Sequence, residues 1–298
     1  MDDQVKEVAK LQNYIETHLM DEIMLLELAK VSHYSPWYVD KLFRKYLDKT
    51  PMQYIKERRL TLAALKLRDE NIKVLDVALE FLFDSHEGFT RAFSKQFGVS
   101  PYRYKKDTPA IQLFLPYIVS DYQAFLHRRK PPMNYQAVPI FTQVIERPKR
   151  KLIVKRGVKA EHYFAYCEEV GCDIWGILTS VKEALYEPVG LWLPKKLKAG
   201  KSTYVQGVEV PETFEKAIPS GFEIITLEPQ LYMVFQGPKY DDVNFMEAID
   251  AFNQALGSFD PTLYGYEFDL ENAPVFQLEP RGERGYIEAK PIRKITIK

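Results

Sequence analysis

Cysteine is almost missing from this chain: 298 residues hold two, Cys167 and Cys172. A lone C-x4-C pair builds neither a disulfide framework nor a zinc site, so both are expected to be reduced thiols of the cytoplasm. Histidine is sparse as well, five in all, at 18, 33, 86, 127 and 162. Their spacing matches no ligand set, and no metal is expected. There is no G-x-S-x-G, no H-E-x-x-H and no phosphate loop, so no catalytic residue, no cofactor and no enzyme activity is assigned. Long apolar runs are absent too. The stretch IQLFLPYIVSDYQAFL (111–126) is broken by Pro116 and Asp121 and is too short to span a bilayer. MDDQVKEVAK, at the start, lacks the apolar centre of a secretory leader, so no membrane partner is expected.

What is present fits a soluble chain of two domains, with 46% hydrophobic and 28% charged residues. The zero net charge is unevenly spread. Residues 1–106 carry +2, residues 107–151 carry +4 and residues 152–298 carry −6. A mildly basic front and an acidic back suggest two jobs.

The front reads as helices. Val5, Val8, Leu11 and Ile15 keep a 3.6-residue period. Ser35-Pro36 marks a helix start, with serine at the N-cap and proline where its missing N–H costs nothing. Thr50-Pro51-Met52-Gln53 repeats that signal as a capping box and opens a long helix to about Arg68. Helices over 72–82 and from Ser85 follow. The short–turn–short pattern therefore occurs twice, with Ser35 and Ser85 fifty residues apart. This predicts a duplicated helix-turn-helix bridged by a rod over 51–68.

On the first of the two second helices, Val39, Leu42, Phe43 and Tyr46 form one stripe, and Trp37, Asp40, Lys41 and Arg44 form another. On the other, Phe89, Phe93 and Phe97 bury, while Glu87, Thr90, Arg91 and Ser94 are expected to face outward. Such polar faces suit base edges in two successive major grooves. Lys41 and Arg91 can pair with guanine, Asp40 or Glu87 can accept from cytosine, and Trp37 can pack on a thymine methyl. Ser35, Ser85, Arg103, Lys105 and Lys106 are expected on phosphate. The alternative for each helix is a solvated charged face.

Ser35-x-Trp37, Phe43, Arg58-Arg59-Leu60, Leu75-Asp76-Val77-Ala78, Phe83-Asp84-Ser85, Phe89-Thr90-Arg91-Ala92-Phe93, Gly98, Ser100-Pro101 and Tyr104 resemble the signature of AraC/XylS transcription regulators. The resemblance is to the Rob-type subset, whose DNA-binding domain stands first, and it covers about residues 5–106. It implies an all-α domain with two helix-turn-helix motifs joined by a long helix, acting as a regulator on promoter DNA. RNA polymerase and a small-molecule effector are candidate partners. Where the family usually has glycine, this chain has Leu82. His86, Glu87 and Gly88 replace a common Gln/Gln/Thr run, so the base sequence read should differ.

Residues 107–150 are punctuated by proline and include HRRKPP. They read as a connector that packs in part through Leu113, Phe114, Leu115 and Tyr117. From 151 the texture changes. Strands are expected over 151–157, 190–194, 203–211, 222–237, 264–271 and 284–292, and helices over 174–185 and 243–256. TYVQGVEVP and RGYIEAKPI read as the same final strand of two strand-helix-strand-strand units, making an α+β domain over 151–298 with a cleft between its halves.

PVGLWLP, YVQGVEVP, SGFEIITLEPQLYMVFQG and YIEAKPI resemble the GyrI-like ligand-binding fold. That resemblance implies an aromatic cleft with a glutamate for cationic apolar ligands. Glu288 is the nearest match, and Glu209 is the alternative, because one residue of slip changes the face of a strand. Trp175, Trp192, Tyr204, Tyr232, Phe235 and Tyr286 are the candidate aromatic walls, through apolar contact and cation–π attraction. The competing function is a GyrI-like hydrolase or ligand-binding protein whose helical front docks on protein. Salt dependence separates the two, because phosphate contacts weaken steeply with salt.

Overall fold

The structure, a computed structural model, describes residues 3–116, 119, 138–171 and 173–295. Tyr117, the HRRKPP segment, His127 and Cys172, all discussed above, lie outside the described residues. The chain divides into two compact units, Met1–Arg129 and Lys130–Lys298.

In the first unit, seven helices follow one another among the described residues: α1 (Asp3–Thr17), α2 (Leu25–Ser32), α3 (Pro36–Leu47), α4 (Pro51–Asp69), α5 (Val74–Glu80), α6 (His86–Phe97) and α7 (Pro101–Asp107). Local chemistry sets their starts. Ser35 Oγ accepts from the Tyr38 N–H, and Ser85 Oγ accepts from the Gly88 N–H. Thr50 and Gln53 form the expected reciprocal capping box. Residues in the left-handed region set several ends: His33 after α2, Asp48 after α3 and Gly98 after α6.

Two cores result, one at each end of α4. Val5, Leu11 and Ile15 of α1, Leu28 of α2 and Val39 and Phe43 of α3 pack with Tyr54 and Ile55 of α4. Further along, Leu60, Ala64 and Leu67 pack with Val77, Phe89, Phe93 and Tyr104. Phe89 and Phe93 are fully buried, each contributing about 1.5–3 kcal/mol relative to exposure. At 19 residues, α4 is about 28 Å long. The stretch after α7 joins these cores: Ile111 and Leu113 are buried in the second, and the Phe114 N–H donates to Thr61.

The second unit holds one antiparallel sheet of β1 (Phe141–Arg147), β2 (Arg150–Arg156), β3 (Val189–Trp192), β4 (Tyr204–Pro211), β5 (Glu223–Leu227), β6 (Gln230–Gln236), β7 (Tyr266–Phe268), β8 (Val275–Leu278) and β9 (Ile287–Lys294). The order is β1-β6-β9-β8-β3-β4-β2-β5, with β7 beside β9. The helices are α8 (Tyr163–Val170), α9 (Ile174–Ser180), the four-residue α10 (Lys195–Lys198) and α11 (Phe245–Gly257).

Two residues link β1 to β2, and two link β5 to β6, yet each pair joins opposite ends of that order. Such a link reaches about 11 Å at most, so the sheet curls until its ends approach. The inner face is lined by Leu152, Val154, Leu191, Val205, Tyr232, Phe276 and Ala289. The other face carries helices, through Tyr166 of α8 on Tyr204 and Phe252 of α11 beside Phe235.

Three expectations change. Residues 141–147, read as connector, form β1, paired along its length with β6. The helix expected over 174–185 stops at Ser180, whose Oγ donates back to the Ile177 carbonyl. Leu185 then donates to the Glu209 carbonyl of β4, a tertiary bond that outweighs local helix propensity. α8 and β8 were not foreseen: both are short, and neither carries a strong period.

Candidate functional site

The faces of α3 and α6 that point away from the two cores form the first candidate site. On α3, Trp37 is 69% exposed. The Lys41 ammonium lies 5.3 Å from its ring centroid. Arg44 is exposed, and its Nε donates to Asp40 at 2.7 Å. Val39, Leu42, Phe43 and Leu47 are buried beneath. On α6, His86, Glu87, Arg91 and Lys95 are exposed, above a chain of edge-on and tilted ring contacts from Phe83 through Phe89 and Phe93 to Phe97.

A fifty-residue offset relates the two motifs position by position. Ser35 and Ser85 cap, Phe43 and Phe93 are fully buried, and Asp48 and Gly98 take left-handed backbone. Thr50 and Ser100 cap the next helices, whose Tyr54 and Tyr104 are buried. Lys41 and Arg91 thus occupy matching exposed positions.

Two side chains expected on DNA are less free than the sequence suggested. Thr90 is half-buried, and its hydroxyl is buried with no partner among the described residues. It lies at the flank of the buried stripe formed by Phe89 and Phe93. Lys105 is engaged by the protein itself, donating to the Ile72 carbonyl at 2.8 Å and to Asn71 Oδ1 at 3.2 Å. Arg103 is exposed, 3.5 Å from Asp107, and Lys106 is exposed. Arg58 and Arg59 are structural. Arg58 grips both Glu16 oxygens and the Phe114 carbonyl, and Arg59 donates to the carbonyls of Leu19 and Asp21.

In the second unit, strand register separates the expected residues. Glu288 pairs with Phe235 and Gln277, Gln277 with Gly190, and Gly190 with Gln206. This row lies on the helix-bearing face, together with Tyr204 and Tyr286. Tyr204 packs on Trp192 at 5.1 Å, and the Trp192 indole donates to the Glu161 carbonyl. Trp175, on α9, is half-buried. Tyr232 points the other way, onto Phe276 and toward Arg150. Glu209, paired with Leu152, is also on the inner face and bonds Arg150. Glu209 and Glu288 therefore lie on opposite faces of the sheet, and Gln206 shares the face of Glu288.

Glu288 is buried, and that burial pushes its carboxyl up, against the pull of the Lys290 ammonium 3.6 Å away. Burial, and then the Glu288 carboxylate, raise the Tyr286 phenol well above its ordinary range. A Cβ on Gly190 would collide with the Tyr204 hydroxyl, so glycine lets the phenol lie flat across the sheet. A cavity of about 310 Å³ opens nearby, between Pro238, Tyr240 and Asp241 on one side and Glu247 and Ala251 of α11 on the other. Tyr286 borders it.

Among the described residues, no group of three or more His, Cys, Asp or Glu could hold a metal. None of their helices is long and apolar enough to cross a membrane.

A helix-turn-helix domain model matches residues 28–107. The transcriptional activator AarP of Providencia stuartii is 33% identical over 98 residues, which are 33% of this chain and 73% of AarP. The transcriptional regulator Rob of Salmonella typhimurium is 35% identical over 106 residues, 36% of this chain but only 37% of Rob. Among solved structures, SAV2435 bound to tetraphenylphosphonium covers 51% of this chain and 94% of its own, at 14% identity and a TM-score of 0.34. A likeness that weak says nothing of what the sheet binds.

Proposed function

The chain belongs to the AraC/XylS family of helix-turn-helix transcription regulators, and from that premise we propose that one copy reads two successive major grooves of promoter DNA through α3 and α6. The observation that carries this is the matched pair of Ser-capped helices. Each buries an apolar stripe at one end of α4 and exposes a polar face. A rod of about 28 Å suits grooves one helical turn apart, about 34 Å. Trp37, Asp40, Lys41 and Arg44 read one groove, and His86, Glu87 and Arg91 read the other. Ser35, Ser85 and Arg103 serve the phosphates, and RNA polymerase is the partner such a regulator would engage.

Arg91→Ala tests the assignment in an anisotropy titration. Specific binding should fall by about 1–3 kcal/mol, while non-specific binding changes little. Equal loss on every sequence would overturn it.

The second unit serves as the effector domain in this reading. Its two halves, β2-α9-β3-β4 and β6-α11-β8-β9, are duplicated units meeting at the β3–β8 pair. The ligand is an aromatic cation, held by Glu288 with Tyr204, Tyr286, Trp192 and Trp175 near it. Such a cation competes with Lys290 for the carboxylate. Lys290→Met should therefore tighten the binding of benzyltrimethylammonium, and Glu288→Gln should weaken it. Calorimetry showing no difference among the three proteins would remove Glu288 from the site.

A further inference from the structure

The inner face of the sheet holds two arginines that neither DNA reading nor the Glu288 row uses. Arg150, the first residue of β2, is 1% exposed. Its Nε donates to Glu209 Oε1 at 2.7 Å and its Nη1 to the Pro148 carbonyl at 3.1 Å. Its Nη2 is buried with no acceptor among the described residues. Arg147, the last residue of β1, stands across the two-residue link. Its Nη1 is 3.6 Å from Glu209 Oε2, beyond hydrogen-bond reach. Both its Nε and its Nη1 are buried without an acceptor among the described residues.

The Tyr186 ring lies 3.4 Å from the Arg147 guanidinium carbon and is itself 45% exposed. Phe276 and Tyr232 wall the deeper side, where the Arg150 guanidinium also acts on the Tyr232 phenol and partly offsets the effect of its burial. Nearby carboxylates do not restore the balance: Glu212 is held by Lys149, and Glu187 by Arg284.

Among the described residues, two guanidinium groups thus share one buried carboxylate, with the Tyr232 hydroxyl beside Arg150 as a weak neutral partner, and three guanidinium nitrogens have no well-formed acceptor. A buried cation without a full complement of acceptors is costly. A planar fork with spare donors matches a group that offers two or more oxygens. We infer that Arg147 and Arg150 form a binding site for a small oxyanion, a carboxylate or a phosphate-like group, at the β1–β2 end of the curled sheet. Tyr186 covers its mouth. Glu209 is the built-in competitor that keeps the site neutralised in part when no ligand is bound. This site is independent of the DNA-reading assignment and opposite in charge preference to the Glu288 row.

The test is thermal unfolding and calorimetry of the full chain, with sodium phosphate or sodium benzoate replacing chloride at constant ionic strength. A saturable rise in the midpoint is expected with at least one of them. A rise with phosphate alone identifies a tetrahedral oxyanion, and a rise with benzoate alone a carboxylate. Arg147→Gln, at the rim, should weaken the binding tenfold or more. Glu209→Gln should strengthen it several-fold, because it releases both arginines; if that variant does not fold, the Arg147→Gln contrast decides alone. Arg91→Ala should leave the response intact, which separates it from phosphate held at the DNA-reading helices. No saturable response to either anion, a response that Arg147→Gln leaves unchanged, or one that Arg91→Ala abolishes would each overturn the assignment.

Discussion

At the scale of single residues, backbone conformation gives the sharpest expectation. Leu82 follows α5 with φ +60°, in the position where family members usually carry glycine. An L-residue in this region is strained by about 1–2 kcal/mol. Leu82→Gly should therefore raise stability by up to about 1 kcal/mol, after glycine's own entropic cost. Gly98 has φ +69° with open space where a Cβ would stand, so Gly98→Ala should cost about 1 kcal/mol from backbone strain alone. Chemical denaturation of the two variants checks both signs. Glu288 adds a pH test. Its folded pKa is raised by burial, so its contribution is fully present below the unfolded pKa and is lost as pH rises through the folded value. Glu288→Gln should remove that loss, leaving the variant less pH-sensitive and more stable than the parent at neutral pH.

Elements explain what could be read in advance and what could not. Helix starts were legible because the signal is local: Ser35-Pro36, Thr50-Pro51 with Gln53, and Ser85 each cap with their own side chains. Ser85→Ala should accordingly cost about 1 kcal/mol and fray the first turn of α6, measurable by amide exchange at Gly88. The four-residue spacing of Phe89, Phe93 and Phe97 marked the inward face of α6, on which Phe89 and Phe93 are buried and Phe97 is half-buried at its end. It could not show that Thr90 sits on the flank of that face, since the width of a buried stripe depends on what packs against it. In the sheet, the partners are distant in sequence. The face of Glu288 follows from pairing with Phe235 and Gln277, and that of Glu209 from pairing with Leu152. No local pattern fixes those registers. Arg150 was invisible for the same reason: a charged residue beside Lys149 and Lys151 reads as surface, until the curl of the sheet closes over it.

For the molecule as a whole, the central claim is that one chain carries two readers with unlike faces. α3 presents Trp37, Lys41 and a paired Asp40–Arg44, while α6 presents His86, Glu87 and Arg91. The two halves of a binding site should therefore differ in sequence. Binding should also weaken steeply with salt, because phosphate contacts release counterions. The most direct measurement is an unbiased selection of bound duplex DNA by the full chain, repeated with Lys41→Ala and with Arg91→Ala. The account predicts two unlike motifs about 10 base pairs apart, with Lys41→Ala erasing sequence preference in one and Arg91→Ala in the other. A single motif, or two variants that weaken every sequence alike, would contradict it.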